Sequence, residues 1–103
     1  MNNMSGLLQQ AQQMQRKMLE VDKKLSEMEV SGSVSNGLVE VTMSAKGVVK
    51  KVKIDRSLKE DVEVIEDLIV AAINEAKKNA DMLSEQEMKS VTGGMPMPPG
   101  MKL

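Results

Sequence analysis

The chain contains no phenylalanine, tyrosine or tryptophan, no cysteine and no histidine. Without aromatic rings, single-stranded DNA or RNA cannot be held by base stacking. Without cysteine there is no disulfide, no thiolate metal site and no thiol nucleophile, which fits a reducing compartment. Without histidine the commonest metal ligand and the usual general base at neutral pH are gone. No apolar run approaches the ~18 residues of a membrane span, and the opening MNNMSGLLQQAQQMQRK is polar, unlike a signal peptide. These absences point to a soluble cytoplasmic protein with no metal, no cofactor, no membrane contact and no small-molecule substrate.

What the chain does have is methionine, eleven in 103 residues. Flexible thioether side chains fill irregular cores and adaptable interfaces, so they take over part of the missing aromatic role. The formal charge of −1 conceals a division: residues 1–59 carry +4 and residues 60–103 carry −5. A pI near 5.5 speaks mildly against nucleic acid, although binding depends more on where charge sits than on its total. The length suits a single domain.

From Met4 to Met28 the apolar residues Met4, Leu7, Ala11, Met14, Met18, Val21, Leu25 and Met28 follow one another at steps of three and four. That spacing averages about 3.5 residues, the period of a coiled-coil seam. With Leu7 at heptad position d, residues 4, 11, 18 and 25 fall at a. The intervening Gln, Lys and Glu favour helix. Met14, Met18, Val21, Leu25 and Met28 are expected to pack against the second helix, a second subunit, or both.

Alternation of period two comes next. VSGSVS (30–35) leads to Asn36-Gly37, a strong two-residue hairpin signal, then LVEVTMSA (38–45), Lys46-Gly47 and VVKKVKID (48–55). Two-residue turns at both sites pair Val34 with Val39, Gly32 with Val41 and Val30 with Met43, and then Met43 with Lys50, Val41 with Val52 and Val39 with Ile54. Both turns thus put apolar side chains on one face, an agreement that a one-residue slip destroys. The other face reads Ser31, Ser33, Ser35, Glu40, Thr42, Ser44, Lys51 and Lys53. A three-stranded antiparallel meander with one dry and one wet face is expected. Lys51 and Lys53 then belong to the wet face, with Lys53 opposite Glu40, and Lys50 to the rim of the dry one, which makes this lysine cluster a solubilising edge.

Ser57-Leu58-Lys59-Glu60 matches a capping box and announces a second helix, with a break near Asp61 allowed. Glu60, Asp61, Glu63, Glu66 and Asp67 crowd its start, where the helix dipole favours negative charge. Ile65, Leu68, Ile69, Ala72, Ile73, Ala76, Ala80 and Leu83 form its apolar stripe, within which Ile69, Ala72 and Ile73 are assigned to packing, and the helix is expected to run to about Ser90. The fold class is therefore α+β, in the order α-β-β-β-α, with the sheet and helix seams expected to be completed by dimerisation. Residues 1–91 form the domain and residues 92–103, rich in Gly, Pro and Met, a flexible tail.

No enzyme is legible. Glu66 and Asp67 are adjacent on a helix and point ~100° apart, so they share no site. Gly93-Gly94 ends a helix rather than joining a strand to one, so it is no phosphate loop. Basic residues on the first helix are better placed: Arg16 and Lys23 fall at f, Lys17 and Lys24 at g, one stripe repeating about every 10 Å, a spacing suited to phosphate contact. Glu20, Asp22, Glu27 and Glu29 flank it, and an i,i+4 pair from Glu20 to Lys24 competes. Lys77-Lys78 on the second helix is a smaller patch. The first helix, at about 25 residues nearly 40 Å long, outreaches strands of about 20–25 Å, so apolar seam projects past the sheet and a homodimer is expected.

With these elements laid out, the chain resembles the YbaB/EbfC family of bacterial nucleoid-associated proteins. The resemblance rests on LLQQAQQMQRKM, GLVEVTMSAKG, KIDRSL, VIEDLIVAAINEAKK and GGMPMPPGMK, in that order along nearly the whole chain. It implies a small α/β homodimer, associated with the nucleoid, that binds double-stranded DNA without enzymatic activity and influences gene expression or DNA organisation. The DNA contacts it implies fall on Arg16, Lys17, Lys23 and Lys24, then on Lys77 and Lys78. Arg56 departs from the family pattern, which often has proline there. Two other readings stand beside it: a prefoldin-like chaperone or assembly module holding clients on Met-rich projecting helices, and a scaffold presenting the Pro/Met tail.

Overall fold

A computed structural model describes residues 3–92. The order is helix α1 (Asn3–Glu27), strands β1 (Glu29–Val34), β2 (Val39–Ser44) and β3 (Val49–Ile54), a 3₁₀ turn η1 (Arg56–Leu58) and helix α2 (Val62–Thr92). The strands form one antiparallel sheet in the order β1-β2-β3. This is the expected α-β-β-β-α architecture; the expected tail lies, but for its first residue, outside the described residues.

β1 pairs with β2 in the expected register, Val30 with Met43, Gly32 with Val41 and Val34 with Val39. The turn between them is wider than two residues. Ser35, Asn36 and Gly37 all take positive φ (52°, 57° and 87°), and the Gly37 and Leu38 amides donate to the Val34 and Ser35 carbonyls.

The second hairpin corrects the reading at Lys50. Val39 and Val41 face Ile54 and Val52 as expected, but Met43 faces Val49, and the register shifts between Thr42 and Met43. The cause is Ser44, a buried serine whose hydroxyl accepts from the amides of both Lys46 and Val48 (3.2 Å each). Its own amide donates to the Val48 carbonyl (2.8 Å), with Gly47 at φ 93°. The loop so held is one residue longer than a two-residue turn, and Lys50 becomes the extra residue of a bulge. Lys50 therefore does not sit opposite Met43; its ammonium lies 4.0 Å from Glu29. Ser44, expected on the wet face, serves the loop instead.

α2 crosses the apolar face of β1 and β2 and scarcely touches β3. A helix is about 10 Å across and strands lie about 4.8 Å apart, so one helix covers two strands. Under it Val39, Val41 and Met43 are buried together with Ala72, Ala76 and Ala80, and Ile65, Leu68, Ile69 and Ile73 close the sides. The alanines let the helix backbone settle onto Gly32: a Cβ there would stand 2.2 Å from the Ala76 nitrogen and 2.5 Å from the Ala72 oxygen. Asn79 Nδ2 donates to the Ser31 carbonyl (2.8 Å), pinning the same line of contact. Among the described residues no buried side-chain polar atom lacks a partner.

The start of α2 differs from the capping-box reading. Asp55 caps η1, its carboxylate accepting from the Ser57 amide (3.0 Å) and hydroxyl (2.5 Å), and α2 begins separately at Val62. The break near Asp61 is therefore present, and Ser57 is a donor to the cap rather than the cap itself.

α1 packs by its last turns alone. Leu25 is buried and Val21 and Met28 are half-buried, while Met14 and Met18 are exposed. The Ala45 amide donates to the Met28 carbonyl (2.9 Å), Lys46 pairs with Asp22 (2.6 Å), and Lys24 pairs with Glu87 on α2 (3.2 Å).

Candidate nucleic-acid interface

The basic stripe of α1 comes from helical periodicity and is fully on the surface. Arg16, Lys17, Lys23 and Lys24 are all exposed. They do not remain equivalent. Lys24 gives its ammonium to Glu87 on α2 rather than to the competing Glu20. The side-chain cations of Arg16, Lys17 and Lys23 have no ion-pair or hydrogen-bond partner among the described residues. Three cations thus stand free on a helix that rises from the sheet, with about 10 Å of axis from Arg16 to Lys23. A cation with no intrachain partner makes a phosphate contact without first giving up a contact of its own.

Lys77 and Lys78 lie elsewhere. They follow Ala76, seated on Gly32, and precede Asn79, bound to Ser31, so they flank the β1 edge of the domain. Ten residues of α2, about 15 Å of helix, separate Lys77 from the Glu87 that holds Lys24. The two basic groups are not brought together within one chain.

The lysines of β3 are exposed along the full strand. Lys53 pairs across with Glu40, as expected, and Lys51 with Thr42. Lys50 reaches Glu29, so two of the three stand near carboxylates. On the other face of this strand Val49, Val52 and Ile54 remain 44%, 39% and 38% exposed, although their partners on β2 are buried. The sequence leads to a sheet completed by dimerisation without saying which strand stays bare, because periodicity assigns residues to a face without saying how wide a covering helix is.

An open cleft of about 350 Å³ lies between α1, the β2–β3 turn and α2, lined by Met18, Leu25 and Met88 together with Asp22, Asp81 and Glu85. No group of acidic side chains among the described residues is arranged to hold a metal ion. Hydrogen bonds from Ser57, helped by nearby Lys53, hold the Asp55 carboxyl below the usual value of 3.8. Its role is to cap a turn. No helix among the described residues is long and apolar enough to cross a membrane.

Residues 1–95 match the model of the YbaB/EbfC DNA-binding family. Nucleoid-associated proteins of Granulibacter bethesdensis and Rhodospirillum rubrum are each 47% identical to this chain over 105 residues, covering 100% of it and 98% of their own length. One from Polynucleobacter necessarius is 49% identical over 100 residues, covering 97% of this chain and 94% of its own. Among solved structures, an uncharacterized protein of Helicobacter pylori superposes with a TM-score of 0.67 at 24% identity, over 89% of this chain and 91% of that one, which is a likeness of fold.

Proposed function

We propose that this chain, which belongs to the YbaB/EbfC DNA-binding family, is a non-enzymatic, nucleoid-associated homodimer that binds double-stranded DNA chiefly at its phosphates. The observation that carries the reading is the set of three exposed, unpaired cations Arg16, Lys17 and Lys23 on one stripe of a projecting helix. Lys24 serves as a reserve contact while it holds Glu87, and Lys77 and Lys78 as outlying ones. The homodimer is supported by the apolar strip Val49, Val52 and Ile54 on an edge strand, a surface that soluble proteins cover. Pairing that strip with its own copy is the closed, self-complementary solution. Protein of this class works in the cytoplasm on the nucleoid.

The test is duplex binding followed by fluorescence anisotropy across a salt series. Three free cations per chain give about six phosphate contacts per dimer and a slope of log K against log salt of about −5. Arg16→Glu with Lys23→Glu is expected to abolish binding while helicity and mass stay unchanged; native protein that leaves duplex unbound at low salt sinks the reading. A second reading, a prefoldin-like holder of unfolded chains, draws on the exposed Met4, Leu7 and Leu8 near the α1 tip. It predicts suppression of a client's aggregation that salt does not weaken.

A further inference from the structure

The tip of α1 is explained neither by the DNA contacts nor by the domain's own packing. The pair between Lys24 and Glu87 sets the two antiparallel helices side by side. The described part of α2 ends five residues past Glu87, and Met18 still lines the cleft beside Met88, so among the described residues the part of α1 before it, Asn3 to about Lys17, extends beyond α2 by roughly 20 Å. Along it Met4 is 83% exposed and Leu7 and Leu8 are each 63% exposed. Residues 4 to 15 contain no charged side chain at all; the first charged side chain in the sequence is that of Arg16. A phosphate-binding arm has no use for an outer half that carries an exposed apolar seam between uncharged glutamines.

We infer that the α1 tip, Met4 to Met14, is a second self-association surface, which pairs with the α1 tip of another copy and so joins one dimer to the next. The inference rests on the homodimer reading of the β3 strip, from which this surface is separate. The occupant is a second copy for two reasons. The seam repeats at about 3.5 residues, the period at which a helix meets another helix as knobs into holes. Its flanks at positions e and g, Leu8, Gln10 and Gln15, are uncharged, so two copies meet without like-charge repulsion. The paired length is about two heptads, short of the three or four that sustain a coiled coil alone. The contact is therefore weak in free solution and takes hold where copies are concentrated, as on a shared duplex. The consequence is an assembly with DNA-binding stripes in both dimers, able to hold two duplex segments.

Because the chain lacks cysteine, a thiol can report the contact directly. Full-length Ala11→Cys, on the seam, and Gln9→Cys, on the opposite face, are treated with a short bis-maleimide in the presence and absence of duplex. Position 11 is expected to give about tenfold more covalent dimer than position 9, more still with duplex. Leu7→Gln with Leu8→Gln removes that excess, and light scattering of the native chain shows a mass climbing above a dimer with concentration. Equal crosslinking at the two positions, with a mass that stays at a dimer, overturns the inference. So does a chain carrying Ala11→Cys and Met97→Cys that closes on itself in preference to joining a neighbour, which makes its own tail the occupant. If the native chain fails to bind duplex while position 11 still crosslinks selectively, the DNA reading falls and the contact stands.

Discussion

Gly32→Ala tests whether the α2 backbone rests directly on β1. The added methyl would meet the Ala76 nitrogen at 2.2 Å, the Ala72 oxygen at 2.5 Å and the Ala76 Cα at 2.8 Å, where ordinary contact begins at 3.4 Å. All three are main-chain atoms, so no rotamer change relieves them and the helix must lift by about 1 Å. Lifting it opens a gap over Val39 and Val41, both wholly buried, and a gap of that size forfeits a sizeable share of the dispersion attraction on each contact. Overpacking of this kind costs about 1–3 kcal/mol and occasionally more. Replacing glycine in an extended strand returns about 0.4–1 kcal/mol through the unfolded chain. The net loss is about 1.3 kcal/mol, or about 5–10 °C in melting midpoint for a domain of this size. The assay is thermal and urea unfolding by far-UV circular dichroism at fixed protein concentration, since the chain has no tryptophan or tyrosine to fluoresce. Gly6→Ala, with nothing within 4 Å on α1, is the control and is expected to favour helix by about 1 kcal/mol. Ala76→Gly should not rescue Gly32→Ala, because the atoms in conflict are backbone. A Gly32→Ala protein as stable as the native one, or a rescue by Ala76→Gly, refutes the seating of helix on strand.

Two further outcomes follow from the surface. Glu87→Gln frees Lys24 from its 3.2 Å partner, and is expected to tighten duplex binding and steepen the salt slope by up to about 1.8 per dimer; an unchanged slope would remove Lys24 from the interface. Asp55 has its carboxyl held below 3.8, so its contribution is present at neutral pH and is lost as pH falls through the lowered folded-state value. An NMR titration of that carboxyl carbon should give a midpoint under 3.8 that moves back up in Ser57→Ala.

Local regularities were legible in the sequence, and long-range contacts were not. The register of β1 on β2 followed from alternation and a turn that accepts positive φ, and the structure keeps it residue for residue from Val30 to Val34. Lys50 was misplaced because the length of its hairpin loop is decided by one buried hydroxyl, that of Ser44, which strand periodicity treats as a wet-face residue. The cap fell on Asp55 rather than Ser57 since either side chain fits the spacing and only the geometry of the turn chooses. The stripe on α1 was visible as a pattern, yet the loss of Lys24 to Glu87 spans 63 positions, beyond any local rule. The bare face of β3 depends on the width of a helix against a sheet, a quantity no periodicity contains.

The shallow attachment of α1 has a bearing on how the protein is made. α1 leaves the ribosome before α2, and the residues that Leu25 and Val21 rest beside, Asp81 to Met88 on α2, come some sixty positions later. At synthesis rates of about 5–20 residues per second, α1 waits roughly 3–12 seconds with its seam unanswered. A helix in a protein draws most of its stability from tertiary packing, so over that time α1 lacks the contacts with α2 that hold it. A narrow stripe of flexible methionines between glutamines is a mild surface to leave bare for seconds. The contacts that seat α1 against α2 can form only once α2 has been made.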